Sequence, residues 1–384
     1  MRSSFVKFIL VLILVLGGTA CYLSYRLVPQ FAWTRNHPSV IWILIFSFIT
    51  GQIFGSLFYR RYPHHLKILT PLLWFSYSGL GIFTCFLYYT VAADLISGLA
   101  RLFLHLADPA QFQVYTFWTA DALAVLSVVI GTLTVVLGPW IYRVDVVIKN
   151  LPTAFDGFTI AQISDLHIGP TIGRAYAQKV VNIANSLKPD VFALTGDFLD
   201  GSVEQLSSGL APLSQLKSEF GMLYVLGNHE FYWNAPSWVE HFKTLGARVL
   251  LNEHVLLKRG SSEIAIAGVT DISAGNMIPG YASDPARAAS GVAKETIKIL
   301  LAHQPASYKA AAEAGFHLQL SGHTHGGQFF PWSVVVALVQ PFNKGLGRFN
   351  DLWVYVNRGT GYWGPPLRFG VPSEITLITL RRPV

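Results

Sequence analysis

Cysteine is nearly missing from this chain, with two residues in 384, Cys21 and Cys85, both inside apolar runs. Two such thiols cannot form a disulfide framework, and cysteine has no part in the ligand set described below. Internal repeats and low-complexity linkers are also missing, so no solenoid or repeat array is indicated. Acidic residues fall short of basic ones, 21 against 28, for a net charge of +7. That excess is confined to residues 1–144, where nine Lys or Arg face three Asp or Glu; from residue 145 the count is nineteen to eighteen. The basic surplus is therefore topogenic, a nucleic-acid groove is not indicated, and no nucleic-acid partner is expected.

What the sequence has in quantity before residue 143 is uncharged apolar chain. Phe8 to Tyr25, Pro38 to Tyr59, Ile68 to Ala93 and Ala122 to Tyr142 contain no Asp, Glu, Lys or Arg. Each is long enough as a helix to cross a hydrocarbon core of about 30 Å. The expectation is a transmembrane anchor of four spans over residues 1–143 and a second domain over residues 144–384, with the lipid bilayer as a partner. Arg2 and Lys7, followed by an apolar run ending in Gly17, Gly18, Thr19 and Ala20, also fit a cleavable signal; an uncleaved anchor is the expectation. Lys and Arg are retained on the cytoplasmic side. With the amino terminus inside, the inner side would carry Arg2, Lys7, Arg60, Arg61, Lys67, Arg143 and Lys149, and the outer side Arg26, Arg35 and Arg101. An integral membrane protein with a cytoplasmic second domain is expected. Ile96 to Leu106 places Ile96, Leu99, Leu102, Phe103 and Leu106 at helical spacing around Arg101 and His105, which fits an interfacial amphipathic helix or an extension of the third span.

After residue 143, five short polar blocks follow in order: Asp165-x-His167, Gly196-Asp197, Gly227-Asn228-His229-Glu230, His303, and Gly322-His323-Thr324-His325. Each follows a short apolar run: Thr159 to Ser164, Val191 to Thr195, Met222 to Leu226, Ile297 to Ala302 and Leu318 to Leu320. That pattern places the blocks at the carboxyl ends of strands, where open α/β sheets collect their sites. Taken singly, Asp165-x-His167 is an ordinary loop or helix cap, Gly196-Asp197 a turn, and His303 a buried structural histidine. Taken together they offer carboxylate oxygen, imidazole nitrogen and amide oxygen in numbers sufficient for two divalent ions. Two metals about 3.5 to 4 Å apart can stabilise both the attacking and the leaving oxygen of an in-line displacement at phosphorus, so one carboxylate must bridge them. Gly196, Gly227 and Gly322 fit turns where the backbone passes close to the site.

The order and spacing of these blocks resemble the calcineurin-like metallophosphoesterase superfamily over roughly Phe158 to Leu380. The tail from Arg358 onward, with Gly-His-Thr-His-Gly-Gly-Gln before it, resembles the membrane-associated branch that includes YkuE-like and YaeI-like proteins. The resemblance implies an α/β/β/α sandwich with mixed sheets and two divalent ions, Mn, Fe, Zn or Mg. It implies that Asp165, His167 and His325 bind one ion, that Asn228, His303 and His323 bind the other, and that Asp197 bridges them. It further implies that His229 is the general acid beside the leaving group, and that the attack on phosphorus is made by a hydroxide held between the two ions.

Arg174, Arg358 and Arg368 are candidate substrate clamps, since guanidinium binds phosphate oxygens in a bidentate manner. Directly after the last block come Phe329, Phe330, Pro331, Trp332, Val334 to Val339, and later Pro341-Phe342, an apolar segment beside a polar site. It is expected either to contact lipid, with Trp332 at headgroup level, or to be buried in the domain. The anchor and this segment favour a phosphodiesterase or pyrophosphatase acting on a phospholipid or lipid-linked substrate. A small soluble phosphodiester, and a membrane sensor that binds a phosphorylated ligand without hydrolysis, are the alternatives.

Overall fold

The computed structural model describes residue 14, residues 17–28 and 32–47, residue 51 and residues 66–383. The chain divides into two compact units, Met1–Leu133 with Gly364–Leu367, and Thr134–Trp363 with Arg368–Val384.

Two helices are long and apolar enough to cross a membrane: the third expected span lies within the helix Leu66–Phe103, and the fourth overlaps Pro109–Leu137 as far as Leu137. The first and second expected spans fall partly outside the described residues; inside them, residues 17–27 and Pro38–Ser47 are helical. Ala20, Leu23, Ile45 and Phe83 pack these segments together. Of the two readings offered for Ile96 to Leu106, the structure takes the extension: residues 96–103 continue the third helix, because nothing between Ala93 and Phe103 interrupts the backbone ladder. That continuation brings Asp94 into the helix, where it accepts hydrogen bonds from Tyr22 and Arg26, each at 2.6 Å. The bounds of the fourth span are corrected. The fourth helix starts earlier than Ala122, with the Asp108 carboxylate accepting from the amides of Ala110 and Gln111 and Pro109 at the first helical position. It ends at Leu137, before Gly138-Pro139, so Trp140 to Tyr142 belong to a strand and not to the span.

The second unit holds two mixed six-stranded sheets. The first contains β1 (Trp140–Val147), β2 (Thr159–Ile163), β3 (Val191–Thr195), β4 (Met222–Val225), β5 (Ala247–Val249) and β12 (Glu374–Arg381), in the order β1-β12-β2-β3-β4-β5. The second contains β6 (Glu253–Arg259), β7 (Ser262–Gly268), β8 (Ile297–Leu301), β9 (Leu318–Ser321), β10 (Gly345–Phe349) and β11 (Leu352–Val356), in the order β10-β11-β9-β8-β7-β6. The central strands β2 to β5 run parallel, as do β7, β8, β9 and β11.

Strand β3 shows why both faces are covered. Successive side chains alternate, so Val191 and Ala193 enter the apolar layer between the sheets, while Phe192 and Leu194 enter the layer under the helices Arg174–Ser186, Val203–Leu210 and Ala235–Thr244. A third apolar layer sets Leu300 and Ala302 against Ala288 and Ala311 of two short helices on the second sheet. The result is an α/β domain of helix, sheet, sheet and helix layers whose strand ends meet on one rim.

Candidate metal centre

Every polar block stands just past the carboxyl end of a strand. Asp165 and His167 follow β2, Asp197 follows β3, Asn228 and His229 follow β4, His303 follows β8, and His323 and His325 follow β9. Five of these residues turn sharply: Asp165, His167, Asp197, His323 and His325 have φ between 50° and 69°. A non-glycine residue there costs roughly 1 kcal/mol or more, and such strain persists only where the surrounding structure over-determines it. Two glycines make the turns possible. A β-carbon at Gly227 would collide with the Asp197 carboxylate, and one at Gly322 with that of Asp165.

Two groups of ligand-type atoms result, Asp165 with His167 and His325, and Asp197 with His303 and His323; within each group the atoms lie within 4.8 Å of one another. In the first, His167 Nε2 is 3.1 Å from His325 Nε2, and Asp165 accepts from the His323 amide at 3.0 Å. In the second, His303 Nε2 is 3.1 Å from Asp197 Oδ2 and 3.2 Å from His323 Nδ1. His303 Nδ1 donates to the Thr195 carbonyl at 2.8 Å, which turns Nε2 toward the site. Burial opposes charge on Asp197, yet His303 and His229, with His167 from the other group, hold its carboxyl well below the usual range. Asn228, which precedes the His229 amide that donates to Asp197 Oδ1 at 2.9 Å, is buried, and its side-chain oxygen has no hydrogen-bond partner. An orphaned buried carbonyl oxygen is costly unless something electropositive meets it, and a hard divalent cation does.

The donor chemistry thus fits divalent metals, and similarity to known proteins says which kind of protein uses it. Residues 158–327 match the family described as calcineurin-like phosphoesterase. A zebrafish (Danio rerio) protein named "Transmembrane protein with metallophosphoesterase domain" is 33% identical over 401 residues, covering 99% of this chain and 90% of its own. This chain belongs to the calcineurin-like phosphoesterase family. An uncharacterized metallophosphoesterase of Campylobacter jejuni is 29% identical over 98% of this chain and 99% of its own. YkuE of Bacillus subtilis is 31% identical over 60% of this chain and 82% of its own. The protein is accordingly a phosphoric ester hydrolase, and its two long apolar helices together with its transmembrane-named relatives associate it with a membrane.

In this phosphoesterase, His229 sits at the edge of the site. Its Nδ1 is paired with the Asp200 carboxylate, and its Nε2 lies 3.8 Å from Asp197. Burial would lower its pKa, but Asp197 and Asp200 push it up to about 9. Tyr232 and Trp363 flank the ring, and the Gln328 side chain fixes Trp363 by bonding both its amide and its carbonyl.

None of the three arginines is shown directed at the metal groups. Arg174 is exposed and donates to the Ser208 carbonyl. Arg358 pairs with the buried Glu374 at 3.3 Å and lies over the Tyr142 ring. Arg368 is fully buried behind His325, donating to the carbonyls of His325, Arg358 and Gly361, with Nη2 2.9 Å from His325 Nδ1. Both terminal nitrogens of Arg368 are thus engaged with the protein, while its buried Nε has no hydrogen-bond partner. Guanidinium only donates, so in this pairing His325 Nδ1 is the acceptor.

Two residues escaped the sequence reading. Asp200 joins His167 and His229 in a third cluster, accepting from His167 Nδ1 at 3.0 Å. Its signal was a second carboxylate three residues after Asp197, on the same turn. Glu230, present in the third block but given no role, is buried and accepts from the amides of Asp197, Phe198 and Gly227 at 2.7 to 3.0 Å. Burial and the neighbouring Asp197 push its carboxyl up to about 7.

Proposed function

We propose that the protein is a membrane-anchored phosphodiesterase or pyrophosphatase with a dinuclear centre, acting on a phospholipid or lipid-linked substrate. The observation that carries the dinuclear reading is the pair of nitrogen–oxygen groups with Asp197 electrostatically tied to both, together with the orphaned Asn228 oxygen. Asp165, His167 and His325 would hold one ion, Asn228, His303 and His323 the other, with Asp197 between. Two divalent ions held there supply Lewis acidity toward a phosphoryl oxygen and lower the pKa of water.

The chain's own residues do the rest. His167 is oriented by Asp200, His325 by Arg368, and His303 by the Thr195 carbonyl, so each imidazole is fixed before substrate arrives. His229, anchored on Asp200 through Nδ1, presents Nε2 as the atom that hands a proton to the departing oxygen. A group pushed up to about 9 still carries that proton at neutral pH. Support for a lipid substrate comes from the two long apolar helices and from the helix Trp332–Val339, which has no buried residue and directly follows the last metal block. The excess of Lys and Arg on the amino-terminal side of the count above supports a cytoplasmic catalytic domain.

The test is hydrolysis of bis-p-nitrophenyl phosphate and p-nitrophenyl phosphate by detergent-purified protein with added Mn. Diester cleavage is expected to depend on metal, to vanish in Asp197→Ala, and to fall about 10²- to 10⁴-fold in His229→Ala with metal still bound. Loss of metal together with activity in His229→Ala would reassign that residue as a ligand.

A further inference from the structure

The sheet register connects the membrane helix to the metal rim. Strand β12 runs antiparallel to β2, with Thr376 opposite Gln162, so its start at Glu374 lies at the carboxyl end of β2, where Asp165 is delivered. Strand β1 runs parallel to β12 with Trp140 opposite Glu374, so β1 starts on that same rim. The Glu374 amide donates to the Gly359 carbonyl at 3.0 Å, and a β-carbon on Gly359 would touch His325 Nδ1 and Asp165. Only Gly138 and Pro139 separate Trp140 from the end of the Pro109–Leu137 helix. Residues 134–137 of that helix belong to the catalytic unit, and Lys179 Nζ caps them through the carbonyls of Val136 and Leu137 at 2.9 and 3.0 Å.

A second apolar feature is tied to the same tail. The helix Trp332–Val339, WSVVVALV, carries no charge and buries none of its residues; Leu338 is 82% and Val339 70% exposed. The Phe330 amide before it bonds the Phe369 carbonyl, and the Ser373 carbonyl four residues on takes the Trp140 amide. Val136, Leu137, Trp140 and Ile141 are exposed as well. Exposed aliphatic and indole side chains on an uncharged short helix, joined to the exit of a hydrocarbon-length helix, match the headgroup–acyl boundary of a bilayer.

We propose that the metal-bearing rim lies against the bilayer, with the helix Trp332–Val339 seated in the lipid interface as a second contact beside the helix exit. The site then opens where lipid phosphates are, rather than toward bulk water. This consequence for substrate rests on the phosphoesterase reading above; the membrane contact itself does not.

The test needs no turnover. In full-length protein with Cys21→Ser and Cys85→Ala, Leu338→Cys and, separately, Glu240→Cys are labelled with a polarity-sensitive fluorophore. Each is reconstituted in phosphatidylcholine–phosphatidylglycerol vesicles containing doxyl-labelled lipid. The Leu338 probe is expected to shift to the blue and to be quenched severalfold more by doxyl lipid than by iodide, with the Glu240 probe showing the reverse. A Leu338 probe as open to iodide as the Glu240 probe would overturn the proposal. Protection from iodide without doxyl quenching would also overturn it, by showing that another protein surface covers the helix.

Discussion

Asp200→Asn isolates a single carboxylate that serves two histidines. Asp200 accepts from Nδ1 of His167 and from Nδ1 of His229. Asparagine keeps the shape but offers one acceptor oxygen and one donor nitrogen, so it can satisfy one ring and must face the other with a donor. One charge-assisted hydrogen bond, worth roughly 1.5 to 3 kcal/mol, is therefore lost. At about 1.4 kcal/mol per decade, turnover or metal affinity should fall about 10- to 100-fold, the size usual for the partner that orients a metal-binding histidine. The substitution also removes one of the three carboxylates, Asp197, Asp200 and Glu230, that push His229 up to about 9, so its titration should move back toward the ordinary histidine range. Kinetics with bis-p-nitrophenyl phosphate and Mn, metal content by elemental analysis, and NMR titration of the imidazole in chelated protein read these effects separately. Unchanged kcat/KM and metal content together with an unmoved His229 titration would refute the positioning role; a purely structural defect would not shift that titration selectively.

Further outcomes follow from the same geometry. Glu230→Ala leaves three buried amides without an acceptor, at about 1 to 3 kcal/mol each, so the catalytic unit should unfold at clearly lower denaturant concentration; an unshifted midpoint would show that water replaces the carboxylate. Arg368→Lys keeps the charge but cannot reproduce a planar fork serving three carbonyls and His325, so metal content should drop with the fold retained by circular dichroism, and full occupancy would reject its role in setting His325. Because the folded pKa of His229 is raised, its stabilising contribution in chelated protein is complete below about pH 6.5 and is lost as pH rises through about 9. Thermal unfolding across that window, compared with His229→Gln, should show the loss in the parent alone.

Much of the candidate site was legible because residues able to ligate a metal sit on short-range features of sequence: a strand end, a tight turn and a hard or borderline donor. Asp165, Asp197, His303 and His323 could be placed at strand carboxyl ends from apolar runs alone. Arg368 could not be placed, because guanidinium is equally suited to a phosphate and to backbone carbonyls, and only the fold shows which it meets. Asp200 went unassigned for a related reason. It acts through two histidines that lie 33 residues before it and 29 after it, and no local pattern marks such an oriented partner.

The membrane region shows the same division. Hydropathy found the two long helices, but it ended the third at the first charge, Asp94, which the structure keeps inside the helix by pairing it with Arg26 and Tyr22. It also assigned Trp140 to Tyr142 to the membrane, where an apolar strand and an apolar helix read alike. By itself, then, the sequence determined the family, the strand-end blocks of ligand-type residues and the apolar anchor, because each is written in residue type and local spacing. Tertiary structure alone decided which ring each carboxylate orients, which arginine is spent on the backbone, and that β1 starts on the metal rim. Those depend on pairings between segments as much as 234 positions apart, such as Trp140 with Glu374, which only the register of the sheet sets.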